Sequence, residues 1–128
     1  GKIMNKFLVI LNTINGILFI TIGLLWAVSP YVAGANFGIL EIPEGLGRSS
    51  LIGDVGSYFF CIGVMMILAV YTLRSIWFYA PAMLLGVTAL FRVISWLAHD
   101  ATFATQFIII EIIVIILLLV TSKRMSSK

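Results

Sequence analysis

The chain has 128 residues, of which 62% are hydrophobic and only 10% charged, with a mean hydropathy of +1.18. Soluble domains carry about 45–50% apolar and about 25% charged residues, so a water-soluble fold of this length has too little polar side chain to cover it. Disordered and nucleic-acid-binding chains need still more charge, so nucleic acid is excluded as a partner. The net charge of +3 comes from eight Lys and Arg against five Asp and Glu, and those cations, Arg92 apart, sit at chain and segment ends, where membrane topology places them. The composition specifies an integral membrane protein. Cys61, the lone cysteine, allows no intrachain disulfide or cysteine-based metal site. Inside an apolar run it reads as a small buried hydrophobe.

The first apolar stretch runs roughly from Phe7 to Val28 and stops at Ser29-Pro30. It exceeds the roughly 7–15-residue core of a cleaved leader and carries Asn12 and Asn15, so it reads as a retained helix. A loop from Pro30 to Ser49 follows, with Gly34, Gly38, Gly45, Gly47 and Pro43. It is too long for a minimal connection and is expected to fold over one mouth as a lid or short re-entrant piece. The second span runs roughly from Ser50 to Leu73, with Ser49 or Ser50 as its N-cap. The third, Ile76 to Ala98, contains Pro81, which should bend it. The fourth runs from about Ala101 to Val120. Each has the roughly 20 residues needed to cross about 30 Å of hydrocarbon. Runs such as Phe107-Ile108-Ile109-Ile110 do not alternate, which excludes a barrel and leaves helices. The expected fold is all-α, one four-transmembrane-helix bundle.

If the four helices alternate in direction, Lys2, Lys6, Arg74, Lys123, Arg124 and Lys128 share one side. The positive-inside rule then puts both termini in the cytoplasm and the long first loop outside. Gly16 and Gly23 are seven apart on the first helix, as are Gly56 and Gly63 on the second. Such spacings put small groups on one face and let backbones approach closely. The glycine-free fourth helix is expected to face lipid over much of its surface.

The informative residues are those a membrane should exclude. Thr88, Arg92, Ser95 and His99 recur at steps of four, three and four on the third span, which makes one helical stripe. The second span carries Asp54, Ser57 and Tyr58, and the fourth carries Glu111 in an aliphatic run. Counted inward from these span ends, Asp54 lies roughly 6 Å, Arg92 roughly 9 Å and Glu111 roughly 14–15 Å below the outer boundary. Ionised side chains there cost about 2.5–3.5 kcal/mol each on insertion scales, so the two acids and the arginine are expected to meet. An arginine fork can bridge two carboxylates. Arg48, at a helix start, is expected to pair with Glu44, Asp54 or an anionic ligand. Asp54, Tyr58, Arg92, Ser95, His99, Glu111 and Arg48 are therefore the expected ligand-binding set. A structural ion pair that only fixes helix order is the plain alternative. Trp96 and His99 also suit an interfacial anchor and a helix end. One histidine among scattered carboxylates is no metal signature, no phosphate-binding glycine fingerprint is present, and no cofactor is implied.

The four spans, the segment Gly47-Arg48-Ser49-Ser50-Leu51-Ile52-Gly53-Asp54, Arg92 and Glu111 resemble the DoxX-like superfamily of small four-helix membrane proteins. That resemblance covers nearly the whole chain and implies a bacterial inner-membrane bundle. It also implies, for some members, work beside quinone-linked oxidoreductases, although this chain lacks a cysteine pair or other redox motif. Three functions stay open. One is a binding or accessory protein for a small amphipathic, lipid- or quinone-like molecule in an outward polar cavity, alone, as a homo-oligomer or in a membrane complex. The second is a proton-coupled transporter using Glu111 or Asp54. The third is a membrane enzyme with an acid–base site at Asp54, His99 or Glu111.

Overall fold

The computed structural model describes residues 1–127 and is all-helical. Four helices are long and apolar enough to cross a membrane: α1 (Lys2–Val28), α3 (Gly45–Thr72), α4 (Ser75–Ala98) and α5 (Thr105–Met125). A short fifth, α2 (Pro30–Asn36), lies in the first loop. Their outer faces are aliphatic and aromatic, with Phe7, Ile10, Ile14 and Ile17 exposed on α1 and Ile109, Ile112, Ile113 and Ile116 exposed on α5. A surface of that extent is stable only against lipid or a partner. The chain is a multi-pass membrane bundle.

Close approach of α1 and α3 is set by the four expected glycines. A Cβ placed on Gly63 would lie 2.5 Å from the Gly16 carbonyl oxygen, and one on Gly23 would lie 2.7 Å from the Gly56 carbonyl oxygen. Only hydrogen fits at either crossing, and the backbones touch there. Beside this seam the core is apolar, with Phe19 on α1, Ile62 and Met66 on α3, Phe78 and Leu85 on α4, and Val114 and Leu118 on α5. Pro81 is buried within α4, which continues past it. Near the other end Asn12 Nδ2 donates to the Leu8 carbonyl and to Thr121 Oγ1, both at 2.8 Å, and ties α1 to α5.

Both described ends lie at one end of the bundle. Arg124 Nε donates to Asn5 Oδ1 at 3.3 Å, and the Ser127 amide donates to the Leu73 carbonyl at 2.8 Å in the α3–α4 turn. Lys2, Lys6, Arg74, Lys123 and Arg124 belong to these segments; Lys128 lies outside the described residues. The first loop and the α4–α5 connection close the opposite end, where Phe37 stacks on Phe107 with ring centroids 5.5 Å apart.

Several boundaries differ from the sequence expectation. The second long helix begins at Gly45, with Glu44 at its N-cap position and no side-chain cap, so neither Ser49 nor Ser50 caps it. It then passes through a π-helical stretch, Leu51–Gly56, that carries Asp54. The fourth long helix begins at Thr105, because the chain reverses before it. Asp100 adopts a left-handed φ of 57° and the Ala101 amide bonds back to the Ser95 carbonyl at 3.2 Å. Residues 101–104 are therefore connection, not span. Cys61 is exposed, a correction to its expected burial. The neighbouring Phe59, Ile62 and Gly63 turn the other face of α3 into the core.

The first loop is built by two helix-end signals. Proline at the first position of α2 has no amide to leave unpaired. At its other end the Gly38 amide donates to the Ala35 carbonyl at 3.1 Å and the Ile39 amide to the Gly34 carbonyl at 2.9 Å. This bond pair is the Schellman motif, with Gly38 at φ +76° supplying the left-handed residue. Phe37, just before that glycine, enters the bundle. Its ring centroid lies 5.2 Å from that of Phe59 and 6.0 Å from that of Trp26.

Candidate functional site

Arg92 is the centre of the loop-end polar site. It stands on the α4 face that also carries Thr88, and its Nε donates to both Glu111 oxygens, at 3.0 Å to Oε2 and 3.3 Å to Oε1. The side chains are 25% and 9% exposed, so the pair is withdrawn from solvent on the acid's side and partly open on the arginine's. The guanidinium carbon lies 4.7 Å from the centroid of Phe107, within cation–π range. Both contacts leave the two terminal nitrogens without a hydrogen bond among the described residues. A guanidinium has five N–H donors, and the pair engages only the one on Nε.

Three recesses converge on this guanidinium, and Phe37 lines all of them. The first, of about 390 Å³, lies under the first loop and is bounded by Trp26, Phe37, Ile39, Asp54, Val55, Tyr58, Phe59, Thr88 and Arg92. The second, of about 560 Å³, opens along the α4–α5 connection, with Thr102, Thr105, Gln106 and Phe107 in its wall. A narrower cleft of about 150 Å³ separates α1 from α5, with Asn15, Leu18, Phe19, Ile22, Ile110 and Glu111 beside Phe37, Phe107 and Arg92. Leu18 and Ile110, two of its lining residues, are more than half exposed. That cleft therefore opens sideways through the bundle wall, toward whatever surrounds the helices.

The expected residues divide into those that gather and those that do not. Asp54, Tyr58 and Arg92 share the recess under the first loop, while Glu111 joins Arg92 from α5. Asp54 is exposed and forms no ion pair among the described residues, so the guanidinium holds one carboxylate and does not bridge two. Tyr58 Oη contacts Thr88 Oγ1 at 2.5 Å and donates to the Leu84 carbonyl at 3.1 Å, which fixes its ring against α4. Ser95 is half-buried, and its carbonyl accepts the His99 amide at 3.0 Å at the end of α4. His99 is exposed at the C-cap, and neither residue borders these recesses. Arg48 also stands away. Its Nε donates to the Pro43 carbonyl at 3.0 Å and its head lies 5.7 Å from the Tyr31 ring centroid, so neither Glu44 nor Asp54 is its partner.

Depth also differs from the estimate made along the sequence. Arg92 lies six residues before the end of α4 at Ala98, and Glu111 lies six residues after the start of α5 at Thr105. At about 1.5 Å of rise per residue both stand about 9 Å inside their helix ends. Glu111 is therefore level with Arg92, and its shallower placement follows from residues 101–104 leaving the helix.

Phe37, Phe107 and Trp26 complete the site and were not expected in it. A signal for Phe37 was present in the proline and glycine that bracket α2, which predict a short helix ending beside an aromatic residue. None existed for Phe107 or Trp26, since one more aromatic side chain on an apolar helix carries no mark of its neighbours. No protein-family model, curated protein or solved structure matches the chain.

Proposed function

We propose that this chain is a membrane-embedded binding protein for a small amphipathic molecule, lipid- or quinone-like. Its tail lies in the α1–α5 cleft and its polar head meets Arg92. The observation that carries this reading is the double exposure of Arg92. It borders a sideways-opening apolar cleft and two loop-end recesses at once, while its terminal nitrogens lack partners among the described residues. A charge-assisted hydrogen bond to an acceptor oxygen is worth roughly twice a neutral one, and more where water is scarce. Charge balance restricts the head further. Glu111 already neutralises Arg92, and Asp54 adds one negative charge to the shared wall, so an electrically neutral amphiphile fits better than an anion. His99, exposed beyond the recesses, supports binding over an acid–base reaction that would need it.

Within this reading the basic end of the bundle faces the cytoplasm under the positive-inside rule, and the site opens on the opposite side of a bacterial inner membrane, as the DoxX-like resemblance implies. An accessory role within a homo-oligomer or a larger membrane complex belongs to the same proposal. The test is retention. Full-length protein purified in mild detergent should carry a bound neutral amphiphile visible by native mass spectrometry. The Arg92→Leu/Glu111→Leu double variant, which removes both charges together, should carry none. Equal retention by the two proteins overturns the proposal.

A further inference from the structure

The recess under the first loop presents two opposite charges that do not touch. Asp54 and Arg92 both line it, yet no nitrogen of Arg92 comes within 4.0 Å of the Asp54 carboxylate; among the described residues the guanidinium's one salt bridge goes to Glu111. Asp54 is exposed and its carboxylate accepts no hydrogen bond among the described residues. The wall beside it is aromatic, with Phe37 and Tyr58 half-buried in front of a fully buried Trp26, and aromatic faces attract cations. Tyr58 does not compete for the head, because its hydroxyl is engaged with Thr88 and the Leu84 carbonyl. The recess thus has an acceptor site of negative charge at one place and a donor site of positive charge at another.

From this separation we infer that the head held here is zwitterionic: an ammonium group against Asp54 and an oxyanion, as in an aminoalkyl phosphate, on the terminal nitrogens of Arg92. The inference rests on the proposed binding function and specifies its ligand. Charge decides between the alternatives. A simple anion would add to a wall that already carries a surplus negative charge. A plain carbonyl head would engage Arg92 and leave Asp54 without a counter-charge, whereas a simple cation would do the reverse. A zwitterion satisfies both groups and adds no net charge to the recess. The recess and the α1–α5 cleft share Phe37, Phe59 and Arg92, so one molecule can place its head in the first and its tail in the second.

The experiment compares dioleoylphosphatidylethanolamine, dioleoylphosphatidylglycerol, dioleoylglycerol and the soluble head glycerophosphoethanolamine. Each is titrated into delipidated full-length protein in detergent, with the thermal midpoint and native mass spectrometry as readouts. The zwitterionic lipid should bind at least about tenfold more tightly than the anionic lipid or the diacylglycerol, the scale of one charge-assisted contact. Asp54→Asn should abolish that preference while leaving diacylglycerol binding in place, and Asp54→Glu should restore it. Asp54 has no hydrogen-bond or ion-pair partner to lose among the described residues, so neither substitution breaks one. Glycerophosphoethanolamine binding as tightly as the lipid supports the zwitterionic site and assigns it to a free solute. If diacylglycerol binds as well as the zwitterion, or Asp54→Asn keeps the preference, the head assignment fails and the binding function stands. If no lipid or head group binds, the head assignment fails, and the retention test decides the binding function separately.

Discussion

Arg92 and Glu111 face each other at equal depth across the α4–α5 connection, each six residues inside its helix end. The connection thereby places an arginine on one helix level with a carboxylate on the next, and the pair becomes a strut between α4 and α5. Removing one partner strands the other. Arg92→Leu leaves a 9%-exposed carboxylate without its cation, and breaking a buried pair typically costs about 3–5 kcal/mol. Replacing both with leucine removes the stranded charge and should recover most of the loss. Unfolding in detergent is the measurement, and a single variant as stable as the double would refute a structural contribution from the pair.

The glycine seam makes a sharper steric prediction. A methyl group at Gly63 meets the Gly16 carbonyl oxygen at 2.5 Å and the Ile20 amide nitrogen at 2.6 Å. These are backbone atoms that cannot rotate aside. Gly63→Ala must push α1 and α3 apart and should cost about 1–3 kcal/mol, the usual range for overpacking. Gly86→Ala is the control, since its methyl would meet only Ile115 Cδ1 at an ordinary 3.8 Å. Equal effects at the two positions would show that the α1–α3 contact is looser than the geometry requires.

The helical class, the four long spans and the α1–α3 glycine faces were legible from residue types alone, because hydrocarbon imposes length, apolarity and small-residue contacts directly on sequence. The attraction between Arg92 and Glu111 was legible for the same reason: charge in a span must find charge. The partner set was not. Asp54 is in the same kind of segment, yet it faces a recess, because a contact between helices depends on rotation and level that no single span encodes. The level of Glu111 was misplaced by a six-residue connection, 99–104, whose turn at Asp100 leaves little mark in composition. Phe37 shows the remaining gap, since its loop position hides an aromatic contact with three separate helices.

At the basic end the Asn12–Thr121 bond separates hydrogen-bond strength from satisfaction. Thr121→Val removes the 2.8 Å bond, but Asn12 Nδ2 keeps the Leu8 carbonyl at 2.8 Å. The loss should be near the average of about 0.6 kcal/mol for interhelical bonds in membranes. Asn12→Leu should be neutral or stabilising. It deletes the buried Oδ1 that has no partner among the described residues, while Thr121 retains its own bond to the Leu117 carbonyl at 2.6 Å. If Asn12→Leu proves the more damaging of the two in detergent unfolding, Oδ1 has a partner that the protein alone does not supply.

Gly38 isolates the backbone that seats Phe37. Its φ is +76°, and nothing lies within 4 Å of where a Cβ would stand, so substitution there is a test of conformation without steric conflict. An L-residue in the left-handed region costs roughly 1–2 kcal/mol, and asparagine tolerates that region better than alanine. Stability should therefore fall in the order Gly38, Gly38→Asn, Gly38→Ala. The same order should appear in the seating of Phe37, because its ring is placed by the turn that Gly38 closes and held by stacking on Phe107. Cross-linking between cysteines introduced at Ile39 and Val55, which border one recess, in a Cys61→Ser background, reports that seating. Yields that decline in step with stability tie the loop to the site, whereas unchanged yields across the series would mean that Phe37 is held by its aromatic neighbours alone.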